Sequence, residues 1–174
     1  PKQGKSSPVI WGDKIFITGA QGMECEVYCI NKKTGDILWI GSAFNIPGEP
    51  AVLPKVDQDA GLAASTVATN GKEVCAVFAN GNLICFDMNG KKKWAKNIGV
   101  PENSYGYSSS LVIYENLLLV QYDSEKKISL IGFDIETGDQ KWETIRQGHT
   151  VWSSPVLAYF DGKPQLIING NPKV

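Results

Sequence analysis

One histidine and four cysteines are all that 174 residues offer for soft-metal or imidazole chemistry. A lone His149 excludes a histidine-based metal site within the chain. Neither a Cys-x-x-Cys spacing nor a Cys/His cluster is present to hold zinc. Four cysteines are also too few for a disulfide scaffold. Seventeen basic side chains against 18 acidic ones give a net charge of -1, so the global basic excess of a nucleic-acid binder is absent. No apolar run approaches the ~18–20 residues of a membrane-spanning helix. A Gly-rich phosphate loop, a Ser-centred elbow and a paired-carboxylate constellation are missing as well. The chain starts at Pro1 with no Met and no charged-then-apolar leader, as expected where a targeting segment is already gone.

Turn formers, by contrast, are plentiful: 18 Gly, nine Pro and many Asn and Asp point to short strands joined by tight turns. With 43% hydrophobic residues, the chain can build a core as one ordinary domain or as part of a larger one.

One pattern recurs three times. It runs Val27-Tyr28-Cys29-Ile30-Asn31 to Thr34-Gly35 and Trp39, then Leu83-Ile84-Cys85-Phe86-Asp87 to Gly90 and Trp94, then Leu130-Ile131-Gly132-Phe133-Asp134 to Thr137-Gly138 and Trp142. Each copy has an apolar run, an Asn or Asp, a Gly three or four residues on, and a Trp four after the Gly. A Ser-rich landmark precedes each copy and recurs once more: Ser6-Ser7-Pro8, Ala64-Ser65-Thr66, Ser108-Ser109-Ser110 and Ser153-Ser154-Pro155. Behind each landmark lie two apolar stretches separated by a turn pair: Gly12-Asp13, Asn70-Gly71, Glu115-Asn116 or Asp161-Gly162. Asn-Gly and Asp-Gly supply the positive φ of two-residue hairpins.

Each unit therefore reads as four antiparallel strands, A to D. Four-stranded units repeating every 45 to 55 residues are the sequence form of an all-β propeller. The blades are expected at about 6–42, 64–97 and 108–145, with strands A and B of a fourth at about 151–174. About 3.5 blades out of seven or eight would be present, the rest expected from a longer chain.

The motif sorts among propellers. Trp39, Trp94 and Trp142 are followed by Ile, Ala and Glu rather than Asp, against WD40 blades, and no Gly-Gly doublet supports kelch blades. The pattern instead resembles the PQQ-like (quinoprotein alcohol dehydrogenase-like) repeat, Ala-x-Asp-x-x-Thr-Gly-x-x-x-Trp, over essentially the whole chain. The resemblance implies that Asn31, Gly35, Trp39, Asp87, Gly90, Trp94, Asp134, Gly138 and Trp142 are structural, each Trp packing on a neighbouring blade's Gly-containing turn.

Cys29 and Cys85 occupy the motif's small-residue place, where Cys serves as a small hydrophobe. Cys25 and Cys29, four apart on one strand, are about 13 Å from each other and beyond disulfide reach. A two-residue Asn80-Gly81 turn would pair Cys75 with Phe86 and Cys85 with Ala76, placing the two thiols on opposite faces. Asp57-Gln58-Asp59 lacks the remaining ligands of a calcium loop and reads as solvated. Lys91-Lys92-Lys93 reads as a solubilising edge.

The connections from strand D to the next strand A are the longest, and in propellers such loops gather on one face. They nominate Asn103, Tyr105, Tyr107, Arg146, His149 and Trp152 as a candidate binding face, since Tyr, Trp and Arg are favoured at contact hot spots. Two functions compete. One is a non-catalytic scaffold binding a protein or saccharide partner in the bacterial cell envelope, like the non-enzymatic members of the family such as the outer-membrane assembly lipoprotein. The other is a quinoprotein dehydrogenase with pyrroloquinoline quinone and calcium, oxidising an alcohol or sugar. For the first, no cofactor is expected from this segment. The resemblance implies a periplasmic or cell-surface location.

Overall fold

The computed structural model describes residues 1–170. Within them the chain runs as fourteen strands in four antiparallel sheets. β1 (Val9–Trp11), β2 (Lys14–Gln21), β3 (Glu24–Asn31) and β4 (Ile37–Ser42) form the first blade in sequential order. β5 (Ala68–Thr69), β6 (Glu73–Val77), β7 (Asn82–Asp87) and β8 (Lys92–Asn97) form the second, and β9 (Val112–Tyr114), β10 (Leu117–Asp123), β11 (Ile128–Asp134) and β12 (Gln140–Ile145) the third. β13 (Val156–Phe160) and β14 (Lys163–Ile167) make a two-stranded fourth sheet. The end of the fourth unit, residues 171–174, lies outside the described residues. The innermost strands β1, β5, β9 and β13 neighbour one another in order. The described residues thus fold as part of an all-β propeller.

Strand alternation explains how blade 2 becomes the centre of the core. Val74, Ala76, Phe78, Ile84 and Phe86 join Phe16, Val27 and Cys29 of blade 1 in one cluster. Cys75, Val77, Leu83 and Cys85, the intervening side chains, join Leu118, Val120, Ile131 and Phe133 of blade 3 in a second. A strand buried on both faces reads as a continuous apolar run rather than an alternating one, as β6 and β7 do. The face of blade 1 turned away from blade 2 carries Ile10, Ile15, Ile17, Ile30 and Ile40, of which Ile10 and Ile40 are more than half exposed.

The repeated motif is a device for aiming tryptophan. In each complete blade the ladder between strands C and D slips by one residue just before the Trp, leaving Leu38, Lys93 and Lys141 unpaired. Such bulges re-aim the next side chain. The slip sets Trp39 opposite Cys29, Trp94 opposite Cys85 and Trp142 opposite Gly132. In blade 3, where this small residue is glycine, a Cβ on Gly132 would collide with the Trp142 ring.

Trp39 lies over the Gly90 turn of blade 2, and its Nε1 donates to the Met88 carbonyl at 3.2 Å. Trp94 lies over the Gly138 turn of blade 3, with Nε1 donating to the Ile135 carbonyl at 2.8 Å. A Cβ would sit 2.7 Å from the ring at Gly90 and 2.6 Å at Gly138, and both residues have φ values near +80°. Glycine is required there twice over, by close approach and by backbone conformation. The turns are closed by their carboxylate or amide. Asn31, Asp87 and Asp134 each accept two backbone N–H bonds through Oδ1. These bonds pull the Asp87 and Asp134 carboxyls below the usual range.

The Ser landmarks stitch the inner strands together. Ser65 Oγ donates to the Ser109 carbonyl at 3.0 Å, and Ser109 Oγ donates to the Ser153 carbonyl at 3.2 Å. One residue further on, the Ser7 N–H donates to Thr66 Oγ1 and the Ser110 N–H to Ser154 Oγ. The same hydroxyl-to-carbonyl bond thus joins blade 2 to blade 3 and blade 3 to the fourth sheet, whereas Ser6 Oγ accepts the Thr18 N–H within blade 1.

Three readings of the sequence are corrected. Gly12-Asp13, Glu115-Asn116 and Asp161-Gly162 close two-residue hairpins, but Asn70-Gly71 does not: the last ladder pair is Thr69 with Val74. Asn70 Oδ1 accepts the N–H groups of Lys72 and Glu73, widening that turn into an Asx-type loop. The turn between β6 and β7 holds three residues, Ala79-Asn80-Gly81, with Gly81 left-handed, because the Phe78 N–H bonds the Asn82 carbonyl. One extra residue shifts the register, so Cys75 faces Cys85 and both thiols lie on the face toward blade 3. The lysine run is not wholly a solvated edge either, since Lys93 reaches back to the buried Glu73 carboxylate at 2.8 Å.

Burial of Glu73 works to raise its pKa, yet the Lys93 ammonium and the Asn70 amide outweigh it and hold the carboxyl below its ordinary value. A folded-state pKa below the unfolded one adds stability above the unfolded value and loses it as pH falls through the folded one. The Glu73→Gln variant is therefore expected to lose less stability than wild type between neutral pH and pH about 4, read from urea midpoints at the two pH values.

Candidate functional site

The loops after β8 and β12 meet beside the end of β10. The Asn103 side chain organises the first of them. Its Oδ1 accepts the Tyr105 N–H at 2.9 Å, and its Nδ2 donates to the Gly106 and Asp123 carbonyls. Asp123, 6% exposed, organises the second: it pairs with Arg146, and its Oδ2 accepts the Val151 N–H at 3.0 Å and a Gln121 Nε2 bond at 3.1 Å. Gln121 Nε2 also donates to the Val151 carbonyl at 3.2 Å. A buried carboxylate satisfied by a guanidinium and a backbone N–H fixes the path of residues 146–151.

On this support Tyr105 and Trp152 stack edge-to-face, with centroids 5.0 Å apart and planes at 77°. Trp152 is half exposed, and with Asn103, Ser124, Glu125 and His149 it lines an open cleft of ≈ 430 Å³. The structure thus brings Asn103, Tyr105, His149 and Trp152 to one surface and places Arg146 beneath it as a clamp. Tyr107 is elsewhere. It is 4% exposed, its hydroxyl donates to the Gly99 carbonyl at 2.9 Å, and its ring packs edge-to-face on Tyr122. Burial raises its phenol well above the ordinary value. It belongs to the core and presents nothing to a ligand.

Asp123 and Gln121 did not stand out in the sequence. Their only signal is a polar ending, Gln121-Tyr122-Asp123-Ser124, on a strand that is otherwise apolar. Among the described residues no three His, Cys, Asp or Glu side chains converge as metal ligands. Asp57 turns its Oδ1 onto the Asp59 N–H, and Asp123 is committed to Arg146. Among the described residues these two carboxylates therefore turn to protein partners and are not gathered with others around a calcium-sized site.

Blades docked by a Trp over a neighbouring Gly turn, with the small residue opposite the Trp, make a β-propeller whose repeats resemble the PQQ-like type. No family profile matches the chain. Among curated proteins it is 22% identical over 154 residues to the outer membrane protein assembly factor BamB of Bordetella pertussis, covering 87% of this chain and 36% of that protein. The chain therefore spans about a third of that relative's length. Among solved structures it resembles a europium-containing methanol dehydrogenase (TM-score 0.61, 16% identity, 84% of this chain and 25% of that one). It also resembles BamB from Moraxella catarrhalis (TM-score 0.56, 18% identity, 82% and 38%). A third likeness is the quinohemoprotein alcohol dehydrogenase from Comamonas testosteroni (TM-score 0.58, 18% identity, 83% and 21%). These likenesses carry the fold, which hosts both assembly factors and dehydrogenases and does not choose between them.

Proposed function

We propose that the chain is part of a non-catalytic propeller that binds a protein partner in the bacterial cell envelope, through the surface around Tyr105 and Trp152. The observation that carries the reading is the construction of that surface. A half-exposed Trp152, stacked on a partly buried Tyr105, rests on loops locked by a buried Asp123–Arg146 clamp, so little ordering remains to be done on binding. Likeness to an outer membrane protein assembly factor supports both the partner class and an extracytoplasmic location.

Further blades complete the propeller in this reading. Gly35 has the same turn and positive φ as Gly90 and Gly138, but the space above it is open, and beside it stands the exposed isoleucine face of blade 1. Both suit a preceding blade that delivers a Trp.

The Tyr105→Ala and Trp152→Ala variants of the full-length protein are each expected to bind about tenfold more weakly, by titration against an envelope protein first isolated by pull-down with the wild type. Unchanged affinity in both would move the binding face elsewhere. Dye-linked oxidation of an alcohol or glucose, dependent on added pyrroloquinoline quinone and calcium, would replace this reading with the dehydrogenase.

A further inference from the structure

We propose that Cys75 and Cys85 close a cross-strand disulfide inside blade 2 while the protein folds in an oxidising environment. The two residues are direct partners on β6 and β7, and their Sγ atoms lie 2.7 Å apart as free thiols. The register also fixes which kind of pair they are. The turn-closing bond makes Phe78 and Asn82 a hydrogen-bonded pair. Antiparallel ladders alternate, so Val77 and Leu83 are non-hydrogen-bonded, Ala76 and Ile84 hydrogen-bonded, and Cys75 and Cys85 non-hydrogen-bonded. In that kind of pair the Cα atoms stand about 4.5 Å apart with side chains close, inside the roughly 4.4–6.8 Å span of disulfides. Cys25 and Cys29 share one strand and have no such partner: Cys25 faces Ala20, and Cys29 faces Phe16 and Trp39.

Burial sets the timing. Both sulfurs are fully covered by the packing of blade 2 against blade 3. Once the blades are docked, no oxidant reaches them. Before docking, the β6–β7 hairpin holds the thiols together in solvent. The thiolate of one cysteine then attacks oxidised glutathione or the disulfide of an exported oxidoreductase, forming a mixed disulfide and releasing one thiolate. The second cysteine, losing its proton to solvent, attacks the protein sulfur of that mixed disulfide and releases the other thiolate. Two protein thiols are oxidised to one disulfide, and one external disulfide is reduced to two thiols. The blades then pack over the closed bond, and the burial of both sulfurs keeps external thiolates from reaching it.

The cysteines lie on different strands from the loops that carry Tyr105 and Trp152, so this inference and the binding-face reading fail separately. The experiment unfolds and reduces the full-length protein, refolds it in mixed reduced and oxidised glutathione, then denatures the folded fraction in an alkylating agent. Two of the four cysteines of this chain are expected to escape alkylation until a reductant is added. Peptide mass spectrometry should show one link, joining position 75 to position 85. The oxidised form is expected to melt on the order of 5–10 °C above the reduced one. The Cys85→Ala variant should keep its three remaining thiols. If refolding yields no soluble protein, exporting the chain to the periplasm of a bacterial host gives the same count. Four alkylatable thiols, a link through Cys25 or Cys29, or equally fast oxidation of protein already folded would overturn it.

Discussion

Replacing Trp94 by alanine is expected to lower the unfolding free energy by about 2–4 kcal/mol, read as a shift in urea midpoint. The upper range for burying an indole is set by full burial, whereas Trp94 is only half-buried. The substitution removes the ring that lies over Gly138 and the Nε1 bond to the Ile135 carbonyl, and it opens a gap beside Cys85. Gly138→Ala is expected to be costly for a related reason, because its Cβ would enter the same indole and its φ is +75°. The two changes share one contact, so their effects should not add. In the double variant the collision is gone, and only the backbone strain at position 138, about 1 kcal/mol, remains on top of the Trp94 loss. Additive costs would mean that the Trp and the Gly act separately, contrary to the docking geometry.

The Asp123→Ala substitution is expected to have an effect of similar size, about 2–4 kcal/mol. Breaking a buried ion pair strands the surviving charge. Here that charge is Arg146, whose side chain is 17% exposed, so some solvent relieves it and the loss falls below the fully buried limit. The Val151 N–H and Gln121 Nε2 lose their acceptor as well. Residues 146–151 should then detach, giving faster tryptic cleavage after Arg146 along with the lower midpoint. Adding Arg146→Met, which removes the stranded charge but keeps a long side chain, should recover part of the stability. If Asp123→Ala were neutral, the clamp would not be what orders the loop beneath Trp152.

The blades were legible in the sequence because their signals are local. An Asp, a Gly three or four residues on and a Trp four further along close one turn and aim one ring, and three copies in register betray the architecture. Non-local pairing was harder to see. The Asn80-Gly81 dipeptide suits a two-residue turn as well as a three-residue one, since left-handed Gly81 serves both. Only the Phe78–Asn82 bond decides, and it carries the whole register, including the meeting of Cys75 and Cys85. Asp123 and Arg146 are 23 positions apart on different elements, so no spacing rule links them. Tyr105 and Tyr107 look alike in the loop, yet Gly106, left-handed and tight against Ala79, turns the chain so that Tyr107 enters the core. The Ser landmarks were visible as a repeat, but their role lies between blades and required the neighbouring carbonyls to be in place.

The claim that the Tyr105–Trp152 surface binds a protein partner is tested most directly by site-specific photo-crosslinking in living cells. A photoreactive side chain at position 105 of the full-length protein is compared with one at Lys33, an exposed residue of the first blade's outer turn. The account predicts a single dominant envelope-protein adduct from position 105, absent from position 33 and lost when Trp152→Ala is added. No adduct from position 105, or the same adducts from both positions, would contradict it.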